Sequence, residues 1–329
     1  MNNELISVIV CTYNQQDTIG RTLDSILSQK CHLPIEIVIG EDASTDGTLA
    51  VCRNYEGKHP GVVRILANTA NKGFVRNYYD CLRACRGKYV ADCSGDDFWT
   101  DDTKLEQQSR IMEENTSVGI VHTDWLRYDE RTGTASPVPS KGEWEASGEA
   151  LLGAILMPRE RPAIHLCTSL YRNDWIRQAM QDHPQYFDPE AYPCEDMQIA
   201  FFLARMGQVA YIDRPTLAYS CGAATLSNPD SEEKHFRFWA DTTRLSYNLA
   251  HDFGIRDKRL DRFFQDRIHK LLMHAFRSGK PSLRKEALHM QQEMHVADNR
   301  QILQAKILTL PLFWQLTLPV RNTIVRLKH

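Results

Sequence analysis

Four times within the first hundred residues, a short run rich in β-branched side chains gives way to a polar turn and a stretch patterned as a helix. That alternation constrains the fold more than any other feature, because strands alternating with helical segments build βαβ units and a largely parallel sheet. Leu5-Ile6-Ser7-Val8-Ile9-Val10 reads as the first buried strand. Thr18 to Lys30 follows with Ile19, Leu23, Ile26 and Leu27 on one helical face. Pro34 precedes a second strand through Ile35, Ile37, Val38 and Ile39, and Val62–Leu66 and Lys88–Asp92 read as the third and fourth. Helices are expected through Val51 and Tyr55, and from Phe74 to Arg86, where Gly87 ends the second.

In an open α/β sheet, ligands bind beyond the carboxyl ends of the strands. The polar loops after Val10, Ile39, Leu66 and Asp92 are therefore expected to line one crevice. The last of them, Ser94-Gly95-Asp96-Asp97, carries two adjacent carboxylates. Like charges held this close oppose each other's ionisation unless a cation lies between them. Oxygen donors favour Mg²⁺ or Mn²⁺ over zinc, and such an ion bridges the phosphates of a nucleotide diphosphate. On this reading Asp97 is the metal ligand and Asp96 meets ribose or sugar hydroxyls.

Composition narrows the partners. With 39 Lys and Arg against 42 Asp and Glu, the net charge of −3 gives no basic face for nucleic acid. The nine cysteines form no CxxC pair, so reduced thiols are expected. Met1-Asn2-Asn3-Glu4 lacks the basic start of a secretory signal and no apolar stretch of membrane-spanning length occurs, which points to a cytoplasmic chain.

Beyond Asp101, a helix to Glu114 and a strand over Val118–His122 continue the pattern. Arg131–Glu145 is rich in Gly, Pro and Ser and reads as a loop or lid. Ala163–Tyr171 and Gln208–Leu217 read as strands, with a helix from Glu195 to Arg205 between them. From Ser231 to His295 the pattern is helical. We therefore expect a catalytic domain over 1–228, a helical extension over 229–300 and a basic, apolar tail over 301–329. That tail carries Leu312, Phe313, Trp314, Arg321, Arg326 and Lys328 with no acid, and suits either the inner face of the cytoplasmic membrane or a contact with its own domain or a second subunit in a homo-oligomer.

The quoted loops, in order and spacing, resemble those of family 2 glycosyltransferases of the GT-A fold. The likeness rests on Ser7-Val8-Ile9-Val10-Cys11-Thr12-Tyr13-Asn14, Glu41-Asp42-Ala43-Ser44-Thr45-Asp46-Gly47-Thr48, Asn71-Lys72-Gly73 with Arg76-Asn77, and Gly95-Asp96-Asp97-Phe98-Trp99. It covers roughly residues 4 to 225 and is strongest over the first 110. The resemblance implies a Rossmann-like, mainly parallel sheet flanked by helices. It also implies that Thr12, Tyr13 and Asn14 line the nucleotide-sugar site, that Asp42 accepts a hydrogen bond from the base, and that Arg76 faces the diphosphate or base.

Displacement at an anomeric carbon also needs a carboxylate opposite the leaving group to take the acceptor's proton. Tyr192-Pro193-Cys194-Glu195-Asp196 supplies acids at a helix start, where the resemblance puts the catalytic motif, so Asp196 is the base candidate with Glu195 beside it. Complementing the positive helix N-terminus is the competing role for both. Ser94 stands where many relatives have an acid, and Tyr219-Ser220-Cys221-Gly222-Ala223-Ala224-Thr225 lacks the Arg and His usual there. Thr225, Ser227, Lys141, Arg159 and Arg161 are candidates to replace them at the phosphates. Trp99 is placed to stack on a sugar. Trp125 and Trp144 read as packing, as do Cys81 with Cys85, and His122 and His165 as core histidines.

The expected activity is thus inverting transfer of a hexose or N-acetylhexosamine from a UDP-sugar to a hydroxyl of a glycan or lipid-linked glycan of the bacterial surface. A non-catalytic sugar-nucleotide or glycan-binding subunit is the alternative. A nucleotidyltransferase fits less well, since Cys11-Thr12-Tyr13-Asn14-Gln15-Gln16 has no glycine for a phosphate loop.

Overall fold

The computed structural model describes residues 4–138, 148–157, 164–221 and 231–310. They form two compact units, one of residues 1–190 with 194–222 and one of residues 191–193 with 223–329. The first opens with β1 (Ile6–Thr12), α1 (Ile19–Leu27), β2 (Ile35–Glu41), α2 (Thr48–Lys58), β3 (Val63–Ala67), α3 (Phe74–Ala84) and β4 (Tyr89–Asp92). It continues through β5 (Phe98–Trp99), α4 (Lys104–Glu114), β6 (Val118–Asp129), β7 (Thr134–Pro137), α5 (Glu149–Ile155), β8 (Leu170–Arg172), α6 (Asn173–Asp182), α7 (Asp196–Met206) and β9 (Gln208–Cys221).

The strands form one sheet in the order β3-β2-β1-β4-β8-β6-β9-β5, with β7 on β6. β3, β2, β1 and β4 are mutually parallel, as are β6 and β9, whereas β8 runs antiparallel between β4 and β6. The expected α/β, Rossmann-like layout is therefore present. Strands β1 and β4 are buried at every position. Their side chains fill a core with Leu23 and Ile26 of α1, Leu105 and Met112 of α4, and Leu217 of β9. Because β1, β2, β3 and β4 are parallel, their following loops leave the same edge of the sheet.

Three expectations need correction. The strand expected over 163–171 is a 3-10 turn at Leu166–Thr168 followed by β8, because Thr168 Oγ1 and Ser169 Oγ both donate to the His165 carbonyl and curl the chain. Within the expected loop or lid, Thr134–Pro137 pairs antiparallel with Leu126–Asp129 as a hairpin edge. β6 runs seven residues past His122, its polar outer half held by β9 despite irregular register.

The second unit comprises α8 (Glu232–Asp252), α9 (Lys258–Ser278), α10 (Pro281–Glu293) and α11 (Arg300–Leu308). Each element begins with helix-start chemistry: Ser231, Asp257 and Asn299 cap α8, α9 and α11 through their side chains, and Pro281 opens α10. Phe236, Ile268, Leu272, Ala287 and Met290 share a core into which Ile302 and Ala305 of α11 also pack. Residues 301–308 thus belong with the helices rather than with a separate tail.

Candidate active site

The acidic loop is fixed by one face of α1. Thr18 Oγ1 donates to the Gly95 carbonyl (2.9 Å), Arg21 Nη2 to the Asp96 carbonyl (2.9 Å) and Thr22 Oγ1 to the Asp97 carbonyl (2.6 Å). One turn further on, the Trp99 N–H donates to Ser25 Oγ (3.1 Å), and Gln29 Nε2 donates to the Asp101 carbonyl (2.7 Å). Residues 18, 21, 22, 25 and 29 recur at helical spacing, so successive turns of α1 hold successive main-chain groups of the loop. Arg21 adds an ion pair with Glu130 (2.5 Å) and lies 4.3 Å from the Phe98 ring centre. From the other side, Gly95 rests on the end of β1. A β-carbon there would lie 2.4 Å from Gln15 Oε1 and 2.8 Å from Thr12 Oγ1, so only glycine fits without displacement.

This scaffold leaves the two carboxylates in different states. Asp97 is 1% exposed; its Oδ1 accepts from the Ser220 N–H (2.8 Å), while Oδ2 is buried without a hydrogen-bond partner. Burial, then repulsion from Asp96, pushes its pKa well up, and the Cys167 thiol eases the charge. Asp96 is less buried, and its pKa is also raised, first by desolvation and then by Glu130. Ser94 Oγ lies 3.5 Å from Cys167 Sγ.

The loops after β1 and β2 are laced together. The Asn14 N–H donates to Ser44 Oγ (3.0 Å), and Asn14 Oδ1 accepts from the Thr45 N–H (2.8 Å). Asn14 adopts φ 53°, a left-handed conformation asparagine tolerates. Thr12 is buried and donates to Gln15 Oε1 (2.8 Å), whereas Tyr13 is 45% exposed at the rim. Asp42 is buried and accepts from Asn68 Nδ2 and from the N–H groups of Lys72 and Gly73, each at 2.9 Å. Three of a carboxylate's roughly four acceptor directions are thereby used. Its main work is to hold the Asn71-Lys72-Gly73 turn at the head of α3, and one direction remains for a base edge. Arg76, expected at the diphosphate, sits half-exposed on α3 in an ion pair with Glu190.

Trp99 also departs from expectation. It is 5% exposed, donates from Nε1 to the Cys167 carbonyl (3.3 Å) and lies 4.4 Å from the Lys104 ammonium. A ring so enclosed braces the loop and offers no face to a sugar. Lys104 itself is buried, with Nζ donating to Gln108 Oε1 (2.8 Å), and burial lowers its pKa to about 7.

Asp196 opens α7 with Glu195 as its N-cap residue, and neither side chain caps the helix. The competing role at the helix N-terminus rests on charge alone, with Asp196 in the first turn. Both are partly accessible. Burial raises both pKa values; the Asp196 charge raises Glu195 further, while His165 partly offsets the effect on Asp196. His165 is half-buried against the Trp125 ring, 5.0 Å between centres, and Tyr219 lies 5.5 Å from the same tryptophan. The Tyr219 hydroxyl feels Asp97, Asp96 and Asp196, so it lies within electrostatic reach of both acidic segments. His165 and Tyr219 are thus neighbours of the site that sequence reasoning missed, since only folding brings residues 165, 196 and 219 together. His122 is a core histidine against Tyr211, as expected. Asp92 is buried beside Tyr78 and Tyr171, whose hydroxyls are 2.7 Å apart, and its pKa is raised by burial. Lys141, Trp144, Arg159, Arg161, Thr225, Ser227 and residues 311–329 lie outside the described residues.

Known proteins resemble this chain in sequence or fold. Uncharacterized protein Mb1547 of Mycobacterium bovis is 32% identical over 148 residues, 45% of this chain and 43% of its own length, so the chain spans less than half of that relative. The Escherichia coli protein WfaP, a UDP-Glc:alpha-D-GlcNAc-diphosphoundecaprenol beta-1,3-glucosyltransferase, is 34% identical over 110 residues, 33% of this chain and 42% of its own. A crystal structure of S. aureus TarS 1-349 in complex with UDP-GlcNAc superposes with a TM-score of 0.54 at 16% identity, covering 92% of this chain and 90% of that one, and shares its fold. The sequence pattern described as Glycosyl transferase family 2 matches residues 7–179, more than half of the chain. On that match, and on the acidic loop it contains, the chain belongs to glycosyl transferase family 2.

Proposed function

We propose that the protein transfers a hexose or N-acetylhexosamine from a UDP-sugar to a hydroxyl of a bacterial surface-glycan acceptor with inversion, and that Asp196 is the base. The observation that carries this reading is the unpartnered, buried Oδ2 of Asp97 on a loop whose backbone α1 holds in place. An acidic oxygen kept from water without a donor is costly unless a ligand completes it. Together with Asp96 it makes an oxygen-only donor set that fits Mg²⁺ or Mn²⁺. A cation held there would neutralise charge on the departing diphosphate.

The chain's own residues supply the rest. Asp196, its pKa raised by burial, accepts the acceptor hydroxyl's proton as that oxygen bonds to the anomeric carbon. The bond from that carbon to the diphosphate oxygen breaks with its electron pair, so configuration inverts. Thr12, Tyr13 and the remaining acceptor direction of Asp42 offer the base and ribose their polar edge. The UDP donor is supported by the names of WfaP and the TarS complex. Among the described residues no helix is long and apolar enough to cross a membrane. Contact with a membrane surface is supported by the exposed Leu303, Ile307, Leu308 and Leu310 of the α11 region and the acid-free sequence beyond.

Two variants test the assignment. Asp97→Ala is expected to abolish Mn²⁺-dependent transfer from a UDP-sugar and to weaken UDP binding. Asp196→Ala is expected to abolish transfer yet keep the thermal stabilisation by UDP. Normal turnover by either variant refutes that residue's role. A wild-type chain that binds UDP-sugars but neither transfers nor hydrolyses them with any divalent metal would point to the non-catalytic subunit.

A further inference from the structure

At α4, a second group of metal-type donors comes together. The Cys31 thiol, an imidazole nitrogen of His32 and a carboxylate oxygen of Glu106 all lie within 4.8 Å of one another. Cys31 and His32 belong to the connection between α1 and β2; Glu106 stands on the first turn of α4. The sequence reading found no such cluster, because the ligands are 74 residues apart along the chain.

Each of the three has a supporting partner on the same face of α4. His32 Nε2 lies 3.0 Å from Glu113 Oε2. Glu106 Oε1 accepts from Arg110 Nε at 2.6 Å, and Cys31 Sγ is 3.8 Å from Ser109 Oγ. Positions 106, 109, 110 and 113 follow the helical repeat, so one helix face supplies a ligand and every outer partner. A histidine whose far nitrogen donates to a carboxylate while its near nitrogen faces other donors is the arrangement that fixes the tautomer at metal sites.

We propose that Cys31, His32 and Glu106 bind a divalent metal of the zinc type, with water as the fourth ligand. The donor set argues for the metal. One thiolate, one imidazole and one carboxylate suit Zn²⁺, whereas Mg²⁺ and Mn²⁺ prefer oxygen alone. Ligand atoms around tetrahedral zinc stand roughly 3.5 Å apart, so shifts of about 1 Å, with His32 Nδ1 and Glu106 Oε2 moving apart, bring the three around one ion. In the metal-free chain His32 Nδ1 and Glu106 Oε2 lie 2.6 Å apart, and an ion placed between them would use the imidazole, carboxylate and thiolate as ligands. The ion would tie the end of α1 to α4 along a seam where the Lys30 N–H already donates to the Asp102 carbonyl (2.7 Å).

Titrating the metal-free full chain with Cd²⁺ tests the site through the ultraviolet sulfur-to-cadmium charge-transfer band, which needs no activity. We expect one equivalent to bind, Zn²⁺ to bleach the band, and Cys31→Ser to abolish it. His32→Gln and Glu106→Gln should each weaken binding at least about tenfold, and Glu113→Gln about tenfold through the histidine. Cys167→Ser should leave the band intact. A wild-type chain without the band, or a band that survives Cys31→Ser, overturns the proposal. So does unchanged affinity in both His32→Gln and Glu106→Gln.

Discussion

The two carboxylate pairs of the catalytic unit are built in opposite ways. Asp96 and Asp97 sit on a loop whose main chain is bonded at four of the residues from 95 to 99, so the fold fixes their position through atoms other than their own side chains. Glu195 and Asp196 begin a helix without capping it, and their position follows from the packing of α7. The first pair is spatially rigid, with one oxygen left for a ligand. The second is electrostatically unsettled, its charge disfavoured by burial and by the pair's own repulsion. Rigidity suits a group that must hold a diphosphate and its counter-ion in one place. A raised pKa suits a group that must gain a proton during the reaction.

The sharpest way to break this contrast is Asp196→Asn, which keeps shape and removes basicity. Turnover should fall by about a thousandfold while UDP binding stays within about twofold of wild type. A comparable loss of UDP binding would mean that the two pairs share one task. Gly95→Ala attacks the other side of the comparison without touching a carboxylate. Its β-carbon displaces Gln15 or the loop, and turnover is expected to drop about ten- to a hundredfold with weaker UDP binding, readable by steady-state kinetics and nucleotide-induced melting shifts. Thr22→Val should act in the same direction more mildly, costing about 1 kcal/mol of stability for the lost bond to the Asp97 carbonyl and several-fold in turnover.

The smallest effect on turnover is expected from His122, close enough to His165 to feel its charge but in contact with neither pair. Burial lowers its pKa from 6.5 to about 3, so the unfolded chain takes up a proton in that range and the folded one does not. Its contribution to stability is therefore complete above pH 6.5 and lost as pH falls toward 3, by up to about 5 kcal/mol. Denaturation of His122→Asn across that window should show a flatter acid limb with near-normal activity at pH 7. An unchanged limb would remove the buried neutral histidine from the account.

Much of this was legible because the first half of the unit is regular. Strands β1 to β4 have strong apolar runs, parallel pairing places their loops on one edge, and the Asp96-Asp97 loop follows from that placement. The far half was harder to read. β6 and β9 are long, with polar outer ends that pair only because each finds the other, and the 163–171 segment looks extended until Thr168 and Ser169 bend it. Some side chains have structural employers that the sequence did not announce. Asp42 holds a turn, Arg76 pairs with Glu190, and Trp99 lies under its loop. The polar stripe of α1 was visible at helical spacing, but a polar helix face normally meets water, and nothing local tells Thr22 that it faces a carbonyl.

The α1 contacts separate the inheritance of shape from the inheritance of chemistry. Three of its five partners on the loop are carbonyls of residues 95 to 97, and every amino acid carries a carbonyl. Side chains at 94, 96 and 98 can therefore be exchanged with the loop's path kept, as Ser94 in an acid's place illustrates. Changes along α1 do the reverse, moving an unaltered set of carboxylates. A library that randomises the loop should yield folded proteins with altered metal or donor preference, whereas one that randomises positions 18, 21 and 22 should yield enzymes that are merely slower.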